Sequence, residues 1–380
     1  MFNVCPGLDH LYPSLGLAWA LRNAGHEVVV ATSGVSVAAA ANAGLAVRDV
    51  SPGADFASIF PRTGSNEDRA RLMRERGMAM TESLETPDVI LEKFSRVSDL
   101  MLDGTLSLAR EWQPDLIVYS RLQGTALIAA RALGVPAVEH GFSFLREGNL
   151  PRRFLPYLAP LYERTGTPVE LPEVTALYFA PDYMMHGEGE GLTMCSVPFH
   201  GGGTVPDWAV EPKRRPRICV TLGTVVPHVT GASSLTKVLD AAAETDAEFV
   251  LALGDNPDLG GAELPSNVRV VGWTALNMML WQCDAIIHHA GCATTLASAH
   301  AGIPQLALPQ GADNWINAAL IERTGLGLSR ESEDVDAGLL NTLLHDEGLR
   351  ASARAASAAL AKEPGPDQLV ARLVTLAERK

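Results

Sequence analysis

The stretch best suited to chemistry is His288-His289-Ala290-Gly291-Cys292-Ala293-Thr294-Thr295, two histidines followed by small and hydroxyl-bearing residues. Ala285, Ile286 and Ile287 before it read as a buried strand. Leu296 and Ala299 after it continue as a helix that stops near Gly302-Ile303-Pro304. A strand, a turn of small residues and a helix N-terminus direct unpaired backbone N–H groups and the positive end of the helix dipole at one spot. Ala290, Gly291 and Ala293 let an anion approach the backbone, Thr294 and Thr295 add hydroxyls, and His289 adds an imidazole N–H. This is the chemistry of a phosphate or diphosphate cradle. The plainer alternative is a core strand ended by histidines and a helix capped by threonines. The segments C-terminal to the helix favour the cradle. A second buried strand, from Pro304 to Pro309, leads into Gly311-Ala312-Asp313-Asn314. That order sets a carboxylate and an amide just past a strand's C-terminal end, where ligands bind in open α/β sheets.

A second candidate is His10, within Pro6-Gly7-Leu8-Asp9-His10-Leu11-Tyr12-Pro13. The segment lies between a very short first strand and a helix expected from Ser14 to Ala24. An imidazole in a strand–helix turn titrates in the range suited to deprotonating a hydroxyl. The alternative is a histidine bonded to its own loop.

The elements that must position these residues alternate. Strands are expected at 26–32, 44–50, 115–120 and 136–140, with helices at 36–43, 88–112 and 124–133, which reads as a doubly wound parallel sheet. The first strand looks clipped, as if the chain began further upstream. The pattern is lost over 51–76, where Phe56 and Phe60 precede the charged run 67–76. A solvated loop or helix face is the simpler reading, and a mobile lid over a substrate pocket is the alternative. Aromatic residues gather after Gly141 at Phe142, Phe144, Phe154, Tyr157 and Tyr162, as packing or as the wall of an apolar ligand site. Glycines 201–203 and the basic run 213–215 read as a linker. Strand and helix then alternate again from Arg217. Prolines 364 and 366 interrupt the helices near the end of the chain.

The 380 residues suffice for two domains, and 47% hydrophobic with 19% charged residues is a globular balance. A net charge of −14 argues against nucleic acid as the main partner. Five scattered cysteines fit a reducing cytoplasm better than a disulfide framework. No uninterrupted apolar run is long enough to span a membrane, and no signal peptide is expected.

The segments Gly272-Trp273-Thr274, His288 to Thr295, Gly302-Ile303-Pro304-Gln305 and Ala312-Asp313-Asn314 resemble the donor-binding signature of the UDP-glycosyltransferase-like superfamily, in its bacterial antibiotic branch. Pro6 to Pro13 resembles the N-terminal catalytic loop of that branch. The resemblance covers nearly the whole chain. It implies the GT-B fold, two Rossmann-like α/β domains: an acceptor-binding domain at 1–205, a linker at 206–216, a nucleotide-sugar domain at 217–362, and a C-terminal helix at 363–380 that crosses back. It suggests Trp273 and Leu276 beside the nucleobase. His289, Ala290, Gly291, Cys292, Ala293 and Thr294 would hold the diphosphate, with Gly223 and Thr224 closing the site. Asp313 and Asn314 match sugar-binding residues, and His10 matches the base.

The chain departs from the pattern in four places. Asp9 stands where glycine is frequent, and is a candidate to tune His10. Ser120 stands where an acidic residue often orients the histidine. Ala290 and Ala293 replace cradle glycines, a mild change because the side chains stay small. Ala297 stands where ribonucleotide users commonly place a glutamate for the ribose diol, which favours a dTDP-sugar.

The resemblance therefore implies an inverting transfer of a deoxysugar from dTDP to a hydroxyl of a hydrophobic natural product. The expected partners are that donor and a small apolar acceptor, with no metal, no nucleic acid and no membrane. Oligomeric state is open, a homodimer included. The rival readings are a catalytically weak auxiliary nucleotide-binding homologue, a C-glycosyltransferase, a cell-wall glycosyltransferase and an epimerase.

Overall fold

A computed structural model describes residues 1–61, 64–223, 235–254, 263–311 and 313–378. In chain order its first elements are β1 (Phe2–Asn3), α1 (Leu8–Asn23), β2 (Val29–Thr32), α2 (Val35–Asn42), β3 (Ala46–Asp49), α3 (Asn66–Ser83), α4 (Asp88–Trp112), β4 (Ile117–Ser120), α5 (Gly124–Leu133), β5 (Ala137–His140), β6 (Leu145–Glu147), α6 (Leu150–Arg164), β7 (Val174–Tyr178), β8 (His186–Glu188) and β9 (Leu192–Thr193). There follow α7 (Asp207–Val210), β10 (Arg217–Thr221), α8 (Thr236–Ala243), β11 (Glu248–Ala252), β12 (Val268–Val271), α9 (Leu276–Met279), β13 (Ala285–His288), α10 (Cys292–Ala301), β14 (Gln305–Ala307), α11 (Asn314–Arg323), β15 (Gly327–Ser329), α12 (Ala337–His345), α13 (Glu347–Leu360) and α14 (Pro366–Ala377). No described helix is long and apolar enough to cross a membrane.

The chain forms two compact units, one of Met1–Pro61, Leu84–Val197 and Glu363–Lys380, the other of Arg62–Ser83 and Pro198–Lys362. The first carries a seven-stranded sheet in the order β3-β2-β1-β4-β5-β7-β9, with β6 and β8 paired separately. Every described pairing in that sheet is parallel. Strand order reverses between β1 and β4, where Phe2 is in register with Val118. Apolar side chains of α4, α5 and α6 cover one face, including Leu91, Met101, Ile128, Phe154 and Leu158. The stripe on α4 repeats at helical spacing, and buries Leu91, Met101, Leu102 and Ala109. The terminal helix α14 packs on α1, with Pro366 against Gly16.

The second unit carries a six-stranded parallel sheet, β12-β11-β10-β13-β14-β15, whose order reverses between β10 and β13. Its core is built on Ile218, Val220, Phe249, Leu251, Ile287 and Leu306, alternate residues of these strands, all buried. Both sheets therefore have the switch-point geometry that leaves a crevice outside the strands' carboxyl ends.

Two local outcomes differ from the sequence expectation. The helix after β1 starts at Leu8 and includes Pro13 in its interior, so His10 lies in the first helical turn and not in a loop. The proline removes one backbone donor early in the helix. The charged run 67–76 is an exposed helix face, in keeping with the simpler reading, and the difference lies in which unit that helix joins. Asn66–Ser83 forms α3, which groups with the second unit although the chain enters and leaves it through segments of the first.

The return point is pinned by a buried carboxylate. Glu147 accepts hydrogen bonds from the Thr86 amide (3.1 Å) and hydroxyl (2.7 Å), from Arg121 (2.7 Å) and from Arg153 (2.6 Å). Arg121 and Glu147 are 4% and 2% exposed, so removing either charge strands the other in the interior. Glu147→Ala is expected to cost about 3–5 kcal/mol of stability, read as a large drop in denaturant midpoint.

Candidate donor and acceptor sites

In the second unit the site residues follow four parallel strands at one edge of the sheet. Gly223 follows β10, Trp273 and Leu276 follow β12, His289 follows β13 and Asp313 follows β14. The two neighbours at the order reversal, β10 and β13, deliver Gly223 and His289 to the same place. Thr224 and Ala312 lie outside the described residues.

The two adjacent histidines have separate tasks. His288 is fully buried. Its Nδ1 accepts the Ala290 amide (3.1 Å), so the proton lies on Nε2, which donates to the Gln305 side-chain oxygen (3.0 Å). Gln305 in turn donates to the Thr295 carbonyl (3.3 Å). Burial, with a smaller push from His289, lowers the His288 pKa to about 3, so the ring stays neutral and the relay keeps its polarity. A neutral imidazole thus ties strand, turn and helix together.

Ala290 itself has φ +65°, a left-handed conformation that is costly for any residue with a Cβ. It is held by the His288 bond and by Asn317, whose side-chain amide donates to the Ala290 carbonyl (2.8 Å). Replacing the family's glycine is therefore not mild here: the cost lies in the backbone and not in side-chain bulk.

The turn delivers Gly291 as the residue before α10, with no side chain capping the helix. The amides of Cys292, Ala293 and Thr294 have no carbonyl one turn earlier within the helix, and the first such bond runs from Thr295 N to Gly291 O. His289 packs against this terminus. A Cβ on Gly223, which has φ +70°, would stand 2.5 Å from the ring's Cε1. A Cβ on Gly291 would collide with Nε2 and stand 2.8 Å from Cε1. Both positions must be glycine for the ring to lie there. Burial lowers the His289 pKa to about 4, against a Thr221 backbone group that favours the charged form. The ring is therefore neutral, and its Nδ1 is buried with no hydrogen-bond partner among the described residues.

Asp313 reaches the same helix end, while Asn314 stays within its own turn. The Cys292 thiol donates to Asp313 Oδ2 (3.7 Å), and Asn314 Oδ1 accepts the Gly311 amide (3.1 Å). Asn314 thus spends its carbonyl oxygen on shaping the turn. Trp273 is 46% exposed, whereas Leu276 is buried in a cluster with Met279, Cys219 and Val250 and has only its backbone to offer. Thr294 is buried in the first turn of α10. Among the described residues no three His, Cys, Asp or Glu gather as a metal site.

In the first unit, His10 follows β1 and Ser120 ends β4, the pair that flanks the order reversal. His10 is 6% exposed, with Phe142 at 4.2 Å and Phe94 at 5.5 Å between ring centroids. Its Nδ1 has no hydrogen-bond partner among the described residues. Burial lowers its pKa, and the neighbouring Asp9 carboxylate opposes that. The Ser120 hydroxyl accepts the Cys5 amide (3.1 Å), so this position braces the loop and supplies no charge.

Sequence reasoning gave no role to Gln305, Asn317 or Phe94. Gln305 closes the Gly302-Ile303-Pro304-Gln305 segment, and its amide at the start of a buried strand was the one available signal. The other two become visible only when distant segments meet.

Two doubly wound parallel sheets, with the uncapped end of α10 at the switch point of one and a buried histidine at that of the other, are the architecture of a glycosyltransferase of the GT-B fold. The chain belongs to the family described as erythromycin biosynthesis protein CIII-like, matching its N-terminal domain over 19–223 and its C-terminal domain over 236–376. It is 35% identical to the elloramycin glycosyltransferase ElmGT of Streptomyces olivaceus, over 97% of this chain and 95% of that protein. It is 36% identical to the crystal structure of the glycosyltransferase SnogD from Streptomyces nogalater, with a TM-score of 0.85 over 99% of this chain and 98% of that one. SsfS6 of Streptomyces sp. SF2575, solved with thymidine diphosphate, is 26% identical with a TM-score of 0.79, over 98% of both chains.

Gly291→Ala is expected to weaken dTDP binding at least about tenfold, measured by titration calorimetry, because it evicts His289 and crowds the free amides. Ala290→Gly should act oppositely on the fold, raising stability by about 1 kcal/mol in thermal unfolding by relieving the left-handed strain.

Proposed function

We propose that this glycosyltransferase moves a deoxysugar from a dTDP-sugar to a hydroxyl of a hydrophobic natural-product aglycone, with inversion, and that His10 is the general base. The observation that carries the reading is the uncapped end of α10 with His289 wedged between two obligatory glycines. Such a site neutralises the charge that builds on a departing diphosphate through fixed N–H donors, which is electrostatic catalysis by preorganised groups. The thymidine diphosphate complex of SsfS6 supports the nucleotide, as does Ala297, which offers a ribose diol no carboxylate. ElmGT, named for elloramycin, supports the acceptor class. So does the aromatic setting of His10, since Phe94 and Phe142 suit a flat apolar ligand.

In this mechanism the acceptor hydroxyl gives its proton to neutral His10 as its oxygen attacks the anomeric carbon. The bond to the diphosphate breaks on the opposite face, and dTDP leaves against the α10 amides. Burial keeps His10 unprotonated and base-competent below the ordinary histidine range. Asp9 takes the place of an orienting carboxylate by partly offsetting that effect and stabilising the imidazolium that forms. Five buried cysteines, none in a disulfide, suit a reducing cytoplasm. A C-glycosyl product would lean less on a base, and the buried neutral imidazole favours the O-glycoside.

Turnover is measured by release of dTDP from a donor–aglycone pair. His10→Ala should remove nearly all of it, a loss of about 100-fold or more, while leaving dTDP affinity unchanged. Asp9→Asn removes the charge that raises the His10 pKa, so the acid limb of kcat/KM should move to lower pH. A His10→Ala protein with undiminished turnover would overturn the assignment of the base.

A further inference from the structure

Helix α3 lies in the N-terminal half of the sequence, in the stretch expected to face the acceptor, yet its contacts are with the second unit, where it packs on α11. It meets that unit at the turn that carries Asp313. Met73 lies across Gly311, so that a Cβ there would collide with its Cε and stand 3.1 Å from its Cβ. Gly311 also donates its amide to Asn314 Oδ1, which shapes the same turn. One helical position further on, Arg74 forms a two-pronged ion pair with Glu331, both contacts at 2.8 Å. Glu331 adjoins Ser332, whose hydroxyl accepts from the Gln310 side chain (3.4 Å). Between α3 and the turn is a cavity of about 370 Å³, lined by Ala70, Arg71, Arg74, Gln310, Trp315 and Glu331 among others.

We propose that Met73 and Arg74 are positioning residues for the donor sugar. They fix the turn of Gln310, Gly311 and Asp313 in the shape that receives the hexose, and so make α3 a determinant of donor choice, not acceptor choice. This rests on the reading of the second unit as the dTDP-sugar site. The reason is mechanical. The carboxylate of Asp313 is steered from one side by the Cys292 thiol. On its other side the turn meets α3, which reaches Gly311 through one close apolar contact and Glu331, next to Ser332, through one bidentate ion pair. The diphosphate cradle is braced by His288 and Gln305, which lie off both α3 and the turn, so α3 acts first on the sugar end.

The test is titration calorimetry with two probes, dTDP and dTDP-glucose, on the intact protein and its variants. Arg74→Ala and Glu331→Ala should each weaken dTDP-glucose up to about fivefold, the range expected of a half-exposed pair, with dTDP affinity unchanged. The exchanged pair, Arg74→Glu with Glu331→Arg, should recover most of that loss. Gly311→Ala should weaken dTDP-glucose about tenfold or more, and adding Met73→Ala should restore part of it by giving the new methyl room. In turnover assays the KM for the donor should rise while that for the acceptor stays put. Unchanged dTDP-glucose affinity in all variants overturns the proposal, as does a change in the acceptor KM alone or an equal loss of both probes. Failure of the unaltered protein to bind dTDP would instead strike the donor-site reading itself.

Discussion

The donor site depends on one buried neutral imidazole. His288 accepts from the Ala290 amide and donates to Gln305, and both bonds require that its proton stay on Nε2. A charged ring would lose the acceptor and break the turn. Burial removes that hazard by lowering the pKa to about 3. Once the turn is fixed, Ala290 takes its left-handed backbone, α10 begins with amides that have no carbonyl one turn earlier in the helix, and His289 lies against Gly223 and Gly291. The adjacent histidines therefore divide the labour: one holds the backbone and the other lies against Gly223 and Gly291 at the helix end.

The two units share a device. Each reverses strand order once, between β1 and β4 or between β10 and β13, and each carries a histidine after one of those strands, His289 directly after β13 and His10 in the first turn of the helix after β1. In both cases burial holds the ring neutral. A neutral ring is suited to accept a proton at one site, as proposed for His10, and to meet a diphosphate at the other without trapping it by full charge pairing. The parallel sheets supply this arrangement because all their carboxyl ends share an edge.

Much of this was legible in the sequence. Alternating apolar runs and helical stripes gave both doubly wound sheets, and α4 was delimited correctly because its apolar face repeats without interruption from Leu91 to Ala109. The junction of β13 and α10 was legible because an apolar run, a turn of small residues and a second apolar stripe ending at Gly302 delimit it. Three features were not. The start of α1 at Leu8 was hidden by Pro13, which normally argues against a helix interior. The cost of Ala290 was hidden because it is a matter of φ, and nothing in an alanine announces its backbone angle. The allegiance of α3 was hidden because it is settled by contacts such as Met73 with Gly311, between residues far apart in the chain. Leu276 shows the converse: its place in a motif was clear, but its side chain belongs to the core.

The most direct measurement is a crystal structure of the protein with dTDP. The account predicts the β-phosphate within hydrogen-bond distance of the α10 amides and of the His289 ring, with His288 still bonded to Gln305. A nucleotide whose phosphates lie away from that helix end, or a His288 ring turned out to meet them, would contradict it.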